Sequence, residues 1–335
     1  MTTVQETPRG LTAVQTEFFH REGYLVLPGL FGDEDLQPAI DDITRAIDAK
    51  AVESLAAGAL SRSYAELDFE HRLAAISRET DQVALSLWNG VLHGPGFFAL
   101  ITNPKLLDVA ESLCGEELVA SSVYRLRPKI PNYGYGAVPW HQDSAYFEPY
   151  CDESLVLTVW IPLVDTDAEN GCLWVLPRVH AGGVVPHRPA RDKAYLEILE
   201  GDLPPGARIC CPVPKGGVLL LTNRTPHGSY ENTTDIVRWS MDLRYQSASL
   251  PTNAQISRLP GEAAPQGRTM DDPGFVPVAC HPPEADFLVR SRARPAQVLR
   301  TAAEFAELRR RHIPTPVSDR WGKWWTGEAN DPGRG

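Results

Sequence analysis

Between residues 118 and 246 the chain falls into short β-type runs, at 118–127, 154–164, 171–177, 208–213, 217–222 and 237–246. Clusters of Gly, Pro, Asn and Asp divide them, and no helical pattern alternates with them. Short strands joined by loops build a sandwich or a barrel rather than a parallel βαβ sheet. Upstream the period changes. Leu36, Ile40, Ile43 and Ile47 recur at helical spacing behind the acidic start Asp33-Glu34-Asp35, and a second helical region covers about 64–115. It is broken at His93-Gly94-Pro95-Gly96 and at Asn103-Pro104. A short helix ending near Phe18 and Phe19 is closed by Gly23, and Tyr24–Leu27 reads as a brief strand. The organisation predicted is one domain. Residues 1–116 are its helical support, 117–250 its β-rich core, and 251–335 an extension that is partly helical around Val298–Leu308.

Charge and cysteine usage remove several classes of function. With 32 Lys+Arg against 43 Asp+Glu the net charge is -11, and no basic block offsets it. Neither nucleic acid nor an anionic membrane surface is an expected partner. No apolar run reaches the ~18 residues of a membrane span, and the first residues lack the basic-then-apolar order of a secretory signal. The six cysteines form no CxxC pair, which fits free thiols in a reducing compartment. A cytoplasmic protein acting on a small molecule is expected. The sequence leaves its oligomeric state unassigned.

Chemistry first suggests itself at His141-Gln142-Asp143. An HxD pair alone says little, since His20-Arg21-Glu22 also places an acid two residues after a histidine. Conformation separates the two. Residues two apart on a helix point about 200° away from each other, so His20 and Glu22 cannot grip one ion. In an extended segment they share a face, and Pro139 disfavours helix before His141. A third ligand is best supplied by His227, which follows the apolar run Gly217–Leu221. Two imidazoles and one carboxylate leave positions open, the arrangement suited to Fe(II) oxygenases. Asn232-Thr233-Thr234-Asp235 then reads as a hairpin turn that sets Arg238 nearly opposite His227. A guanidinium there suits a carboxylate held by two hydrogen bonds, and the Ser229 hydroxyl can join it.

These segments resemble the phytanoyl-CoA dioxygenase family of Fe(II)/2-oxoglutarate-dependent oxygenases. The likeness runs through FFHREGYLVLPGLF, WHQDSAYF at 140–147, LTVWIPLVDTDAENGCLWVLPRVH at 157–180 and GGVLLLTNRTPHGSYENTTDIVRWSMDLRY at 216–245. It implies a mainly β fold with flanking helices, a double-stranded β-helix (jelly roll, cupin-like). It implies Fe(II) on His141, Asp143 and His227, with no catalytic side chain beyond these ligands. The distal carboxylate of 2-oxoglutarate falls to Arg238 and Ser229, and Trp160 and Thr158 line that pocket. O2 is the cosubstrate. Related halogenases carry a small residue in the slot of Asp143, so hydroxylation is preferred to halogenation. The family usually reads Pro-Gly-Ser-His where this chain has Pro177-Arg178-Val179-His180.

The expected activity is therefore oxidation, most simply hydroxylation, of an unactivated C–H bond of a small organic substrate in natural-product or small-acid metabolism, releasing succinate and CO2. Candidate substrate contacts are Arg127 and Lys129, which alternate with Arg125 along one strand face, and Tyr133, Tyr135 and Tyr146 around the HxD segment. That charged face is either solvated or lines the mouth for an acidic substrate. A non-catalytic jelly-roll binding protein, a CoA-thioester hydroxylase and a zinc hydrolase using the same three ligands stand as alternatives.

Overall fold

The computed structural model describes residues 9–89, 92, 94–121, 124–133, 136–147, 151–190, 195–250 and 287–310. Helix α1 (Ala13–Glu22) begins at a Thr12–Gln15 capping box and stops at Gly23, whose φ of 82° only glycine takes without strain. A Cβ at Gly23 would also meet the His180 ring at 2.5 Å and the Thr225 hydroxyl at 2.7 Å. The chain leaves this turn as strand β1 (Tyr24–Leu27). Helix α2 (Asp33–Ala56) buries Leu36, Ile40, Ile43 and Ile47, the stripe its spacing predicts. Helices α3 (Arg72–Ser77), α4 (Gln82–Asn89), α5 (Pro95–Ile101) and α6 (Pro104–Cys114) follow. The breaks before α5 and α6 fall at the Gly-Pro and Asn-Pro steps, with each proline at the first helical position.

The strands come next. They are β2 (Leu118–Ala120), β3 (Arg125–Lys129), β4 (Val138–His141), β5 (Val156–Pro162), β6 (Leu173–Val175), the short pair β7 (Arg188–Pro189) and β8 (Leu196–Glu197), β9 (Ile209–Cys211), β10 (Val218–Thr222), β11 (His227–Ser229) and β12 (Arg238–Ser247). After the long extension, β13 (Phe287–Arg290) and helix α7 (Ala302–Arg310) close the described chain. The strands form a seven-stranded sheet in the order β1-β10-β5-β12-β2-β13, with β3 also on β12, and a four-stranded sheet in the order β4-β11-β6-β9. All pairings in both are antiparallel. From β3 onward the chain passes repeatedly between the two sheets, as a jelly roll does, without closing a barrel. No helix among the described residues is long and apolar enough to cross a membrane.

Two sequence expectations change here. The run 118–127 is two strands, because β2 pairs with the far end of β12 (Tyr245–Ser247) and β3 with its start (Arg238–Asp242). More importantly, β11 and β12 are not a hairpin. β11 pairs with β4 and β6, whereas β12 pairs with β2, β3 and β5. The turn at 232–235 thus carries the chain across from one sheet to the other, and Arg238 reaches the interior from the opposite wall to His227. The extension, for its part, adds strand β13 to the sheet beside β2.

Strand β12 explains where the core sits. Trp239, Met241, Leu243 and Tyr245 point to the helical side, into the large core with Leu157, Val159, Ile161 and the buried faces of α2, α5 and α6. Burial of each such side chain contributes roughly 1.5–3 kcal/mol. Trp239 stacks on Phe69 at 4.8 Å and donates its indole N–H to the Phe69 carbonyl. The alternate residues, Arg238, Ser240, Asp242 and Arg244, point to the space between the sheets. A smaller apolar cluster of Trp160, Leu173, Val175, Leu219 and Leu221 fills part of that space. The rest of it is polar.

Candidate metal centre

His141 ends β4 and His227 begins β11, and the two are cross-strand partners. Their rings lie 4.3 Å apart between centroids. Gln142 continues extended (φ -113°, ψ 136°), and Asp143 opens a short 3-10 turn, so Asp143 comes back to the same face as His141. The separation from His141 Nε2 to Asp143 Oδ1 is 3.7 Å. One donor atom from each of His141, Asp143 and His227 lies within 4.8 Å of the others, and all three residues are buried.

The surroundings test whether this set suits a metal. His141 Nδ1 lies 2.8 Å from the Pro139 carbonyl and His227 Nδ1 2.9 Å from the Thr225 carbonyl. Each carbonyl fixes the proton on Nδ1 and leaves the Nε2 lone pair for a ligand, which is how metal-binding imidazoles are oriented. Burial, then the neighbouring His141, push His227 down to about 4, so it is the neutral form that coordinates. Burial alone would raise Asp143, but the Arg244 charge beside it outweighs that and holds the carboxyl well below the usual range. Two imidazoles oriented in this way and one carboxylate fit a divalent iron.

Two residues fix Asp143 in place. The Thr158 hydroxyl donates to Oδ2 at 2.5 Å, and Arg244 Nη2 is 3.1 Å from both oxygens. Thr158, expected to line the cosubstrate pocket, thus bonds the carboxylate of Asp143. Gln142, between the ligands, is buried and fully engaged. Its amide N–H donates to His187 Nε2, its side-chain Nε2 to the Gly183 and Arg224 carbonyls, and its Oε1 accepts from Val185 N–H. These bonds lock the HxD segment to the loops on either side.

Two further cations, Arg238 and Lys129, are buried on adjacent strands. Arg238 is 2% exposed, its guanidinium lies over Trp160 at 5.4 Å, and it donates through Nη1 to the Ser240 hydroxyl. Its buried Nε has no hydrogen-bond partner. Burial pushes Arg238 down to about 10. Such a cation, hydrogen-bonded among the described residues to a neutral hydroxyl, fits an anionic ligand. Lys129, its cross-strand partner, donates to the Ser229 hydroxyl at 2.7 Å and to the Tyr230 carbonyl. The ammonium runs so close to Gly171 (φ 81°) that a Cβ there would meet Nζ at 2.9 Å. Lys129, expected as a substrate contact, therefore sits with Ser229 and is the strand partner of Arg238.

The other expected substrate contacts divide. Tyr146 lies edge-on to His141 at 5.9 Å, and its hydroxyl accepts from Leu196 N–H. Arg127 faces the interior and bonds Asp242. Tyr133 instead packs near Trp88 at 6.1 Å, at the margin of the helical core, and Tyr135 lies outside the described residues. Sequence reading missed Arg244, Asp242 and Gln142. The first two were within reach of it, because 242 and 244 share the strand parity of Arg238.

A jelly roll holding two imidazoles and a carboxylate between its sheets defines the class of non-haem iron oxygenases. The chain belongs to the phytanoyl-CoA dioxygenase family, whose model matches residues 19–240. It is an Fe(II)- and 2-oxoglutarate-dependent dioxygenase. A zebrafish (Danio rerio) phytanoyl-CoA dioxygenase domain-containing protein 1 is 26% identical over 265 residues, covering 68% of this chain and 87% of its own. A probable alpha-ketoglutarate-dependent hypophosphite dioxygenase of Stutzerimonas stutzeri is 26% identical over 250 residues, 70% of this chain and 79% of its own. Among solved structures, the non-heme monooxygenase ThoJ in its apo form shares the fold, with a TM-score of 0.51 and 20% identity over 88% of this chain and 93% of that one.

Proposed function

We propose that the protein hydroxylates an unactivated C–H bond of a small organic substrate, with His141, Asp143 and His227 as its iron ligands. The observation that carries the reading is the paired orientation of His141 and His227, each with Nδ1 on a backbone carbonyl and Nε2 turned toward Asp143. Fe(II) bound there supplies O2 activation coupled to decarboxylation of 2-oxoglutarate to succinate and CO2. The chain's own residues do the rest. Arg238, with Ser229 and Lys129 beside it, receives the distal carboxylate of 2-oxoglutarate, and Trp160 backs the guanidinium. Thr158 and Arg244 keep Asp143 charged and fixed in angle. The apolar cluster of Leu219, Leu221 and Val175 keeps bulk water from the pocket. The relatives are named for substrates as unlike as a CoA thioester and hypophosphite, so substrate choice belongs to the residues at the open side of the site.

The test is an anaerobic titration of the protein with Fe(II) and then 2-oxoglutarate, following the weak visible charge-transfer band of the chelate. The band is expected in wild type and absent in His141→Ala. In Arg238→Ala it should need more 2-oxoglutarate, by about 2–5 kcal/mol of binding. A folded, metal-loaded protein without the band would point to a non-catalytic binding protein. Hydrolytic activity indifferent to Arg238→Ala would point to a zinc hydrolase.

A further inference from the structure

Two thiols meet at the edge of the smaller sheet. Cys172 lies one residue before β6, Cys210 sits in the middle of β9, and their sulfurs are 3.3 Å apart. Bonded sulfurs lie at about 2.05 Å, so the pair stands roughly 1 Å short of a bridge. The two residues are 38 apart in the chain, and the pairing of β6 with β9 brings them together. Their access differs. Cys172 is fully buried, and burial, then its bond to Cys210, push its thiol up, so it stays protonated. Cys210 is half-buried and is the one of the two that an oxidant reaches. Cys211, next to it, is the cross-strand partner of Leu173 and takes the opposite face of the sheet.

Cys172 is also placed against the cosubstrate groups. Gly171, just before it, is so close to the Lys129 ammonium and the Tyr230 carbonyl that a Cβ would meet them at 2.9 and 2.7 Å. Leu173, just after it, is the cross-strand partner of Ser229. Lys129 in turn donates to both the Ser229 hydroxyl and the Tyr230 carbonyl. The residues on either side of Cys172 thus abut the side chains assigned above to the far carboxylate of 2-oxoglutarate.

We propose that Cys172 and Cys210 form a reversible dithiol–disulfide pair, oxidised by a low-molecular-weight disulfide, and that the bridge loosens the hold on 2-oxoglutarate. The second half rests on the oxygenase reading above. The Cys210 sulfur attacks one sulfur of the small disulfide and breaks its S–S bond, releasing one thiol and leaving a mixed disulfide. The Cys172 sulfur then attacks the Cys210 sulfur, forms the internal S–S bond and releases the second thiol. Both cysteine protons end on the released thiols, and the two electrons lost by the pair reduce the small disulfide. Closing the bridge draws Cys172 toward β9 and shifts the packed segment on which Lys129 and Ser229 rest.

The test incubates metal-free protein with hydroxyethyl disulfide and reads its intact mass and its digest peptides. After the reagent is removed, Fe(II) and 2-oxoglutarate are titrated anaerobically while the chelate band is followed. Oxidised wild type should be lighter than reduced protein by two hydrogens, with the peptide of Cys172 linked to that of Cys210. Cys211→Ser should keep the link and Cys210→Ser should lose it. The bridged protein should need roughly threefold or more 2-oxoglutarate for the same band, and dithiothreitol should return it to the reduced value. Cys210→Ser, treated alike, should show no such change. The pair is overturned if no link forms, if Cys210 stops at the mixed disulfide, or if Cys211 carries the bridge. A bridged protein with an unchanged 2-oxoglutarate requirement overturns the connection to the site. A reduced wild type without the band removes the oxygenase reading instead, whereas the link is read with no metal present and is judged apart from it.

Discussion

Thr158 and Arg244 grip Asp143 from two directions. Partners of this kind set the angle at which a carboxylate meets an ion, and losing one typically costs 10–100-fold in metal affinity. Thr158→Val keeps the shape and removes only the hydroxyl. Its Fe(II) affinity, read from the chelate band at fixed 2-oxoglutarate, should fall by about that factor. Unchanged affinity would mean that Arg244 alone holds the ligand. Removing the Arg238 guanidinium acts at the other end of the pocket and should raise the 2-oxoglutarate requirement without altering Fe(II) binding in its absence. Anaerobic Fe(II) titration before cosubstrate is added separates the two effects. The cluster of His141, Asp143 and His227 was legible in the sequence because an extended HxD and a histidine after an apolar run are local patterns. Thr158's bond to Asp143 was not, because it joins two sheets through residues 15 apart.

At the scale of elements, the loop at Pro177–His180 shows how this chain departs from its family. Arg178 takes a left-handed φ of 68°, where the family usually has glycine, and its guanidinium makes two hydrogen bonds to Glu22 at 2.7 and 2.9 Å. The ion pair latches the loop to the end of α1 and offsets the backbone strain, which is of order 1 kcal/mol. Hydrogen bonds from Arg178 and then Arg21 hold Glu22 down to about 2, against an ordinary 4.5. A folded pKa below the unfolded one means that the latch stabilises fully above about 4.5 and is lost as the pH falls toward 2. Glu22→Gln should therefore lower the Tm at pH 7, with the two Tm values converging near pH 2. Equal Tm values at pH 7 would show that the latch contributes nothing. The helices and most strands were readable from period and punctuation. The crossing between β11 and β12 was not, because a turn cluster marks a reversal without saying which sheet receives the next strand.

Across the whole molecule, the C-terminal extension is tied back into the fold. Phe305 of α7 is fully buried, with its ring 5.5 Å from Phe98, 6.0 Å from Tyr124 and 5.7 Å from Phe287. Phe305→Ala should cost about 3–5 kcal/mol in urea unfolding. A loss below about 1 kcal/mol would mean that the extension unfolds separately from the sheet it borders. Nothing near residue 305 in the sequence names these partners, which lie up to about 200 residues away along the chain. The alternation along β12 has one more consequence. Its odd positions hold the helical core together, while its even ones carry polar groups into the space between the sheets. Cohesion and chemistry are thus inherited on separate faces of one strand. A lineage can exchange the polar residues of one face while the residues that keep it folded stay as they are.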